Sequence, residues 1–193
     1  MSTKDNVTAA GPKITGAVFV APAGTAVPTD ATTALGAAFK ELGYVSDAGV
    51  SNDTTPSVAT VKAWGGDPVL ELSEEQADTY KTTLIEILNL EVLKLVYGSE
   101  NVSGTLATGI SINVKNRPVL EENVIVIDMI LRNGALMRHV LPAAVVTAVG
   151  TKNYVHNGAV GFETTLTCHN DSSGNSHYEY ISGATGATGA TNG

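Results

Sequence analysis

One cysteine in 193 residues, Cys168, is too few for an intrachain disulfide or for a zinc site built on thiolates, so the fold has to hold without covalent staples. Charge is also scarce. Asp, Glu, Lys and Arg make up 16% of the chain, against about 25% in an average soluble protein, while the 43% hydrophobic content is that of a globular domain. Basic residues are the scarcer sign: 11 Lys plus Arg face 19 Asp plus Glu, and the net charge of −8 repels phosphate backbones and anionic membrane surfaces alike. Nucleic-acid binding is thereby set aside. No run approaches the ~18 consecutive apolar residues of a membrane span, and the polar stretch Met1–Gly11 holds no apolar leader core, so cytoplasmic synthesis is the expectation. On that expectation the Asn-x-Ser/Thr matches at Asn6, Asn52, Asn101 and Asn170 carry no glycan.

Signatures of catalysis are equally thin. The chain has no Gly-x-Ser-x-Gly elbow, no phosphate-cradling Walker sequence and no His-x-x-x-His zinc helix. Cys168 and His169, with His156 and His177 nearby in sequence, form the cluster most worth testing. Adjacent residues of a strand point to opposite faces, which separates a Cys168 nucleophile from a His169 base and makes Cys168 a core residue. Paired acids such as Glu74–Glu75 and Glu121–Glu122 fit solvated faces or helix starts better than acid–base pairs. Trp64 beside Gly65–Gly66 suits a ligand platform, an interface anchor or core filler. No catalytic, cofactor-binding or metal-ligating residue is nominated.

What the chain does have is Thr, Val, Ala and Gly in β-type patterns. Scarce charge with such a composition fits a sheet protein whose surface is covered by partners. After the apolar run Ile14–Ala21, the Pro/Gly/Thr-rich Pro22–Thr33 predicts an extended loop. Ser46–Pro56, almost all Ser, Asp, Gly, Asn and Thr, predicts a solvent-reaching loop. Val58–Trp64 alternates, with Thr60 and Lys62 on one side and Ala59, Val61 and Ala63 on the other; Gly65–Pro68 then turns the chain and Val69–Leu72 resumes it as a paired strand. The acids Asp67, Glu71, Glu74, Glu75, Asp78, Glu86 and Glu91 fall in one stretch and predict a solvated face.

Ser73–Gly98 admits two readings. Ser73-Glu74-Glu75-Gln76 resembles a capping box, which would open one long helix from Glu74 to Tyr97. The preferred reading runs a strand through Thr79–Leu88 and starts a short helix at Asn89, with Glu91 in its first turn, Leu90, Leu93 and Val96 or Tyr97 on one face, and Gly98 ending it. Further on, Ile110, Ile112 and Val114 alternate until Arg117–Pro118 closes the strand. Asn123–Leu131 is apolar on both faces apart from Asp128. Asn133–Gly134 predicts a tight hairpin into Ala135–Leu141, and Asn157–Gly158 a second turn before the alternating Phe162–Cys168. A last strand falls within Ser176–Ile181, for eight or nine strands and one helix in all. Gly183–Gly193, three GAT triplets followed by Asn-Gly, predicts a low-complexity tail. The expected division is therefore an N-terminal arm over 1–13, one β domain over 14–182 and a tail over 183–193.

A Thr-rich strand ending in Thr83-Leu84-Ile85-Glu86, followed by Asn89-Leu90-Glu91-Val92-Leu93-Lys94-Leu95-Val96-Tyr97-Gly98, resembles the strand, short helix and closing Tyr-Gly of major tail proteins, the tail tube subunits of long-tailed bacteriophages. Arg117–Pro118, Val124–Leu131, Asn133–Gly134 and Phe162–Thr167 extend the resemblance over roughly Leu35–Asp171. It implies a mainly β, two-sheet sandwich or barrel with one flanking short helix, related to the tube of type VI secretion. Six copies would close a ring, and stacked rings would form a virion conduit for DNA that passes without specific binding. The resemblance further implies self-association, contact with tape measure and tail terminator or tip proteins, assembly in the host cytoplasm, and no cofactor, enzyme activity or membrane. Contacts between rings are expected from Ser46–Pro56 and from the arms before Ile14 and after Ile181. A capsid-decorating or other virion β domain, such as a tail terminator or fibre base, fits the same composition, and so does a carbohydrate-binding module.

Overall fold

The computed structural model describes residues 6–14, 16–116, 119–132 and 134–183, and the side chains of 73–77 fall outside the description. Eleven strands are found among these residues: β1 (Ala10–Pro12), β2 (Val18–Pro22), β3 (Lys40–Glu41), β4 (Val45–Lys62), β5 (Pro68–Leu84), β6 (Val102–Thr105), β7 (Gly109–Ile112), β8 (Asn123–Leu131), β9 (Leu136–Val149), β10 (Phe162–Cys168) and β11 (Tyr178–Ile181). The helix α1 spans Leu90–Tyr97. The fold is mainly β, with two sheets and one α-helix. Nine strands form one sheet in the order β3-β2-β8-β9-β10-β5-β4, with β1 added to the edge of β8 and β11 to the edge of β9; β6 and β7 pair separately.

The centre of the sheet follows from its composition. In β8 every residue but Asn123 and Asp128 is apolar, and the run Val124–Ile127 is β-branched throughout, so neither face of that run can meet water, and Val124, Ile125, Val126 and Ile127 are all buried. One face packs with Val18, Leu141, Tyr80, Leu84, Phe162 and Leu166 under α1. The other packs Val126 and Val140 against Phe19 of β2 and against Val27, Leu35 and Phe39 from the loop after it. That loop is anchored electrostatically. Arg138 on β9 donates from Nε and Nη2 to both carboxylate oxygens of Asp128 on β8, at 2.5 and 2.7 Å, and from Nη1 to the carbonyls of Asp30 and Thr33, each at 2.9 Å. Both ionised side chains are almost fully buried.

Helix α1 begins and ends where local sequence dictates. The Asn89 side-chain oxygen accepts from the backbone N–H of Glu91 at 3.0 Å, and the Gly98 N–H closes the last turn on the Lys94 carbonyl. Strand followed by short helix is thus the observed arrangement, and the single long helix is excluded. The buried face adds Val92 to the expected Leu93, because the helix also packs toward the sheet on that side. Upstream, Gly43 (φ 73°) sits where a Cβ would meet the Glu86 carboxylate at 2.0 Å. That carboxylate accepts from the Tyr44 N–H at 2.9 Å and tethers the start of β4 to the helix cap.

Four expectations need correction. Ser46–Pro56 is part of β4: after a bulge between Val45 and Val50, the residues pair with β5 from Val50↔Thr82 to Pro56↔Gln76. Its polar side chains find cross-strand partners, such as Asn52 donating to the Thr79 carbonyl, so polarity here marks an exposed strand. The strand expected over Thr79–Leu88 starts at Pro68 and stops at Leu84, where the chain turns into the cap of α1. The strand holding Ile110 and Ile112 ends there, leaving Val114 exposed. Eleven strands replace the eight or nine, since the short pairings of β1, β3 and β6 carry too few residues for a periodicity to register. Arg117–Pro118, Asn133 and residues 184–193 lie outside the described residues, as does most of the arm's first half.

Candidate functional site

Cys168 is buried and His169 is half exposed on the opposite face, its Nδ1 3.0 Å from Glu122. Burial, with a smaller contribution from Asp78, pushes the Cys168 thiol up to about 12, so it is held as an unreactive core group. His156 joins neither of them. The structure instead assembles a cluster that sequence order hides. His139 of β9 and His177 lie with parallel rings 6.3 Å apart, and Glu179 Oε1 is 3.5 Å from His139 Nδ1 and from His177 Nε2. The Tyr80 hydroxyl contacts His139 Nδ1 at 2.9 Å.

Asp78, expected on a solvated face, closes this cluster and is fully buried. Its carboxylate accepts from the hydroxyls of Thr54 and Ser176 and faces His177 Nδ1 at 3.2 Å. Burial acts to raise its pKa, but those hydrogen bonds and the His177 charge outweigh it and hold the group below the ordinary value. Burial likewise lowers the His139 pKa, with Glu179 opposing and His177 assisting. Ser176 Oγ is spent on the Asp78 carboxylate, so the trio Ser176, His177 and Asp78 lacks a base aimed at a free nucleophile. Among the described residues no group of three or more His, Cys, Asp or Glu is arranged to hold a metal ion. The partners of Asp78 lie 24 to 99 positions away in sequence, too far for spacing to reveal. The cluster knits β4, β5, β9 and the approach to β11 together at the base of the β4–β5 hairpin.

Beyond that base the hairpin stands alone. Strand β10 pairs with β5 only from Asp78 to Leu84, so Pro68–Ala77 pairs with β4 and, among the described residues, with no third strand. At about 3.3 Å per residue these ten positions carry a two-stranded ribbon about 30 Å past the sheet. Register fixes its faces: Ala59 lies opposite Leu72 and Val61 opposite Leu70, whereas Thr60 lies opposite Glu71. One face is apolar and uncovered, with Val61, Leu70 and Leu72 between 43% and 52% exposed, while the other mixes Thr60 and Glu71 with the exposed Val58 and Val69. Trp64 at the turn is fully exposed, which removes the core-filler reading. An isolated two-stranded ribbon is marginal in water, and an apolar face on one wants a cover.

A second feature lies at the other end of β4. Residues of β1, β8 and the bulged start of β4 line an apolar groove of about 520 Å³. A family model described as phage tail tube protein matches residues 2–191. No curated protein matches the chain.

Proposed function

We propose, from the premise that the chain belongs to the phage tail tube protein family, that it polymerises with copies of itself into stacked rings of six, forming the conduit through which DNA leaves the virion. The observation that carries this reading is the bare apolar face of the ribbon, built from Val61, Leu70 and Leu72 and tipped by Trp64. A face of that kind on a soluble domain requires a partner, and a homopolymer supplies one at every subunit. Strand β4 adds a motive, since its outer edge carries no strand among the described residues and offers unpaired backbone to a neighbour.

On this reading the net charge of −8 serves the lumen, because like charge keeps DNA from adhering in passage. Residues 14–182 form the ring-building domain together with β1, which pairs with β8; the part of the arm over 1–13 ahead of Thr8 and the tail over 183–193 reach other subunits, and tape measure, terminator and tip proteins bind the ends of the tube. Assembly takes place in the host cytoplasm, and the subunit performs no catalysis. Negative-stain electron microscopy of the purified full chain, with sedimentation velocity across a concentration series, tests the reading. Rings or tubes above a threshold concentration are expected. A monodisperse monomer at every concentration would overturn it.

A further inference from the structure

Resting on the self-assembly just proposed, we infer that the receiver of the ribbon is the apolar groove between β1 and the bulged start of β4 on the next copy. The groove is lined by Ile14, Ala17, Val45, Val50, Ile127 and Met129, with Tyr44 and Asp47 at its side. Its volume of about 520 Å³ falls in the ~300–1,000 Å³ range of pockets that hold aromatic and aliphatic groups. The ribbon offers matching cargo, three aliphatic side chains on one face and a fully exposed indole at its turn.

The two features cannot meet within one chain. Val50 in the groove and Ala63 at the ribbon's turn are joined by β4, which at about 3.3 Å per residue holds them about 40 Å apart. A knob and a hole at opposite ends of one strand make a head-to-tail contact, which propagates from copy to copy instead of closing into a dimer. The bulge that leaves Ser46–Gly49 out of the β-ladder is what opens the groove, with Gly49 at φ 70° turning the chain. This places part of the expected contact segment Ser46–Pro56 at the interface as a receiving wall.

Cross-linking tests the assignment cleanly, because the one native cysteine is buried and its thiol is held protonated. Ala48→Cys at the groove and Ala63→Cys at the tip are both exposed positions that spare Trp64 and Tyr44. Treated with a short bismaleimide at assembling concentration, the double variant is expected to give a ladder of covalent oligomers. Each single variant should give dimers at most, and the unsubstituted chain none. Tubes without a ladder would overturn the groove and leave self-assembly standing; absence of any assembly from the unsubstituted chain would overturn both. A mixing experiment gives an independent reading. A groove variant, Ile14→Asp with Tyr44→Asp, and a knob variant, Val61→Ser with Leu70→Ser and Leu72→Ser, should each fail to polymerise alone. Mixed, they retain one intact knob and one intact hole per pair and should form short capped complexes. A groove variant that polymerises within twofold of the normal threshold would sink the proposal.

Discussion

Two long hairpins in this molecule are built on opposite plans. In β8–β9 both faces are apolar and both are covered, one by α1 and the core, the other by the loop after β2. In β4–β5 the base is buried and knotted by Asp78, Tyr80 and His139, while the outer ribbon keeps one apolar face with nothing on it. The first hairpin is complete within the chain; the second is finished only by something outside it. Stability and assembly should therefore separate by hairpin.

The largest effect is expected from Arg138→Met, which breaks the complete hairpin. It strands the Asp128 carboxylate in the core and releases the carbonyls of Asp30 and Thr33, with Lys13 at 3.9 Å the one cation left beside it among the described residues. Removal of one member of a buried pair costs about 3–5 kcal/mol, read as a lower midpoint in urea unfolding. The double variant Asp128→Leu with Arg138→Met should recover most of that loss. A loss below ~1 kcal/mol in the single variant would mean that the loop over Val126 and Val140 is not held by this pair.

Next in size is the uncovered hairpin. Val61→Ser, Leu70→Ser and Leu72→Ser together should raise the polymerisation threshold at least a hundredfold, about 2.7 kcal/mol. Monomer stability should move by no more than ~0.5 kcal/mol per substitution, the ordinary cost of a surface change. A matching fall in unfolding midpoint would show that the ribbon's face is already covered within the chain, and the contrast between the hairpins would collapse.

Acid should act where the two plans meet. His139 has its pKa lowered below 6.5 by burial, so below that pH the unfolded chain takes up a proton that the folded chain refuses. Stability then falls as pH drops from about 6.5 toward the depressed value, by up to ~1.4 kcal/mol per unit for one proton. Asp78, also held low, adds a further loss below its ordinary 3.8, when the unfolded carboxyl protonates first. The groups facing His139 are Glu179 and His177 from the β11 side and Tyr80 from β5. Urea unfolding at pH 7.5 and 5.0 should show the slope, and His139→Gln should flatten it. An equal slope in the variant would move the titration elsewhere.

How much of this was legible in the sequence depended on how far each residue's partner lies. The helix Leu90–Tyr97 was readable because Asn89, Glu91 and Gly98 act on neighbours two to four positions away. The ribbon's unlike faces were readable because strand periodicity is local and Gly65–Pro68 marks the turn. Ser46–Pro56 was misread as a loop because its strand state is set by pairing with Gln76–Thr82 across the hairpin, which composition does not record. Asp78 was misread as solvated, and His139 passed over, because Thr54, Ser176 and His177 reach them only once β4, β5, β9 and β11 are in place. The tube family was visible through its most local motif and supported by the match across residues 2–191.

The smallest effect expected is also the one that sharpens the contrast most. Thr60 and Glu71 face each other on the ribbon's other side, beside the exposed Val58 and Val69 and behind Val61 and Leu70. If the ribbon lies with one face in a neighbour's groove, its other face remains in water. Thr60→Ser with Glu71→Gln should then shift the polymerisation threshold less than about threefold, or ~0.7 kcal/mol, the scale of an exposed polar contact. A shift as large as that of the apolar triple variant would mean that the ribbon is sandwiched between two neighbours. The groove would then account for only half of its cover, and the outer edge of β4 would become the place to look for the other half.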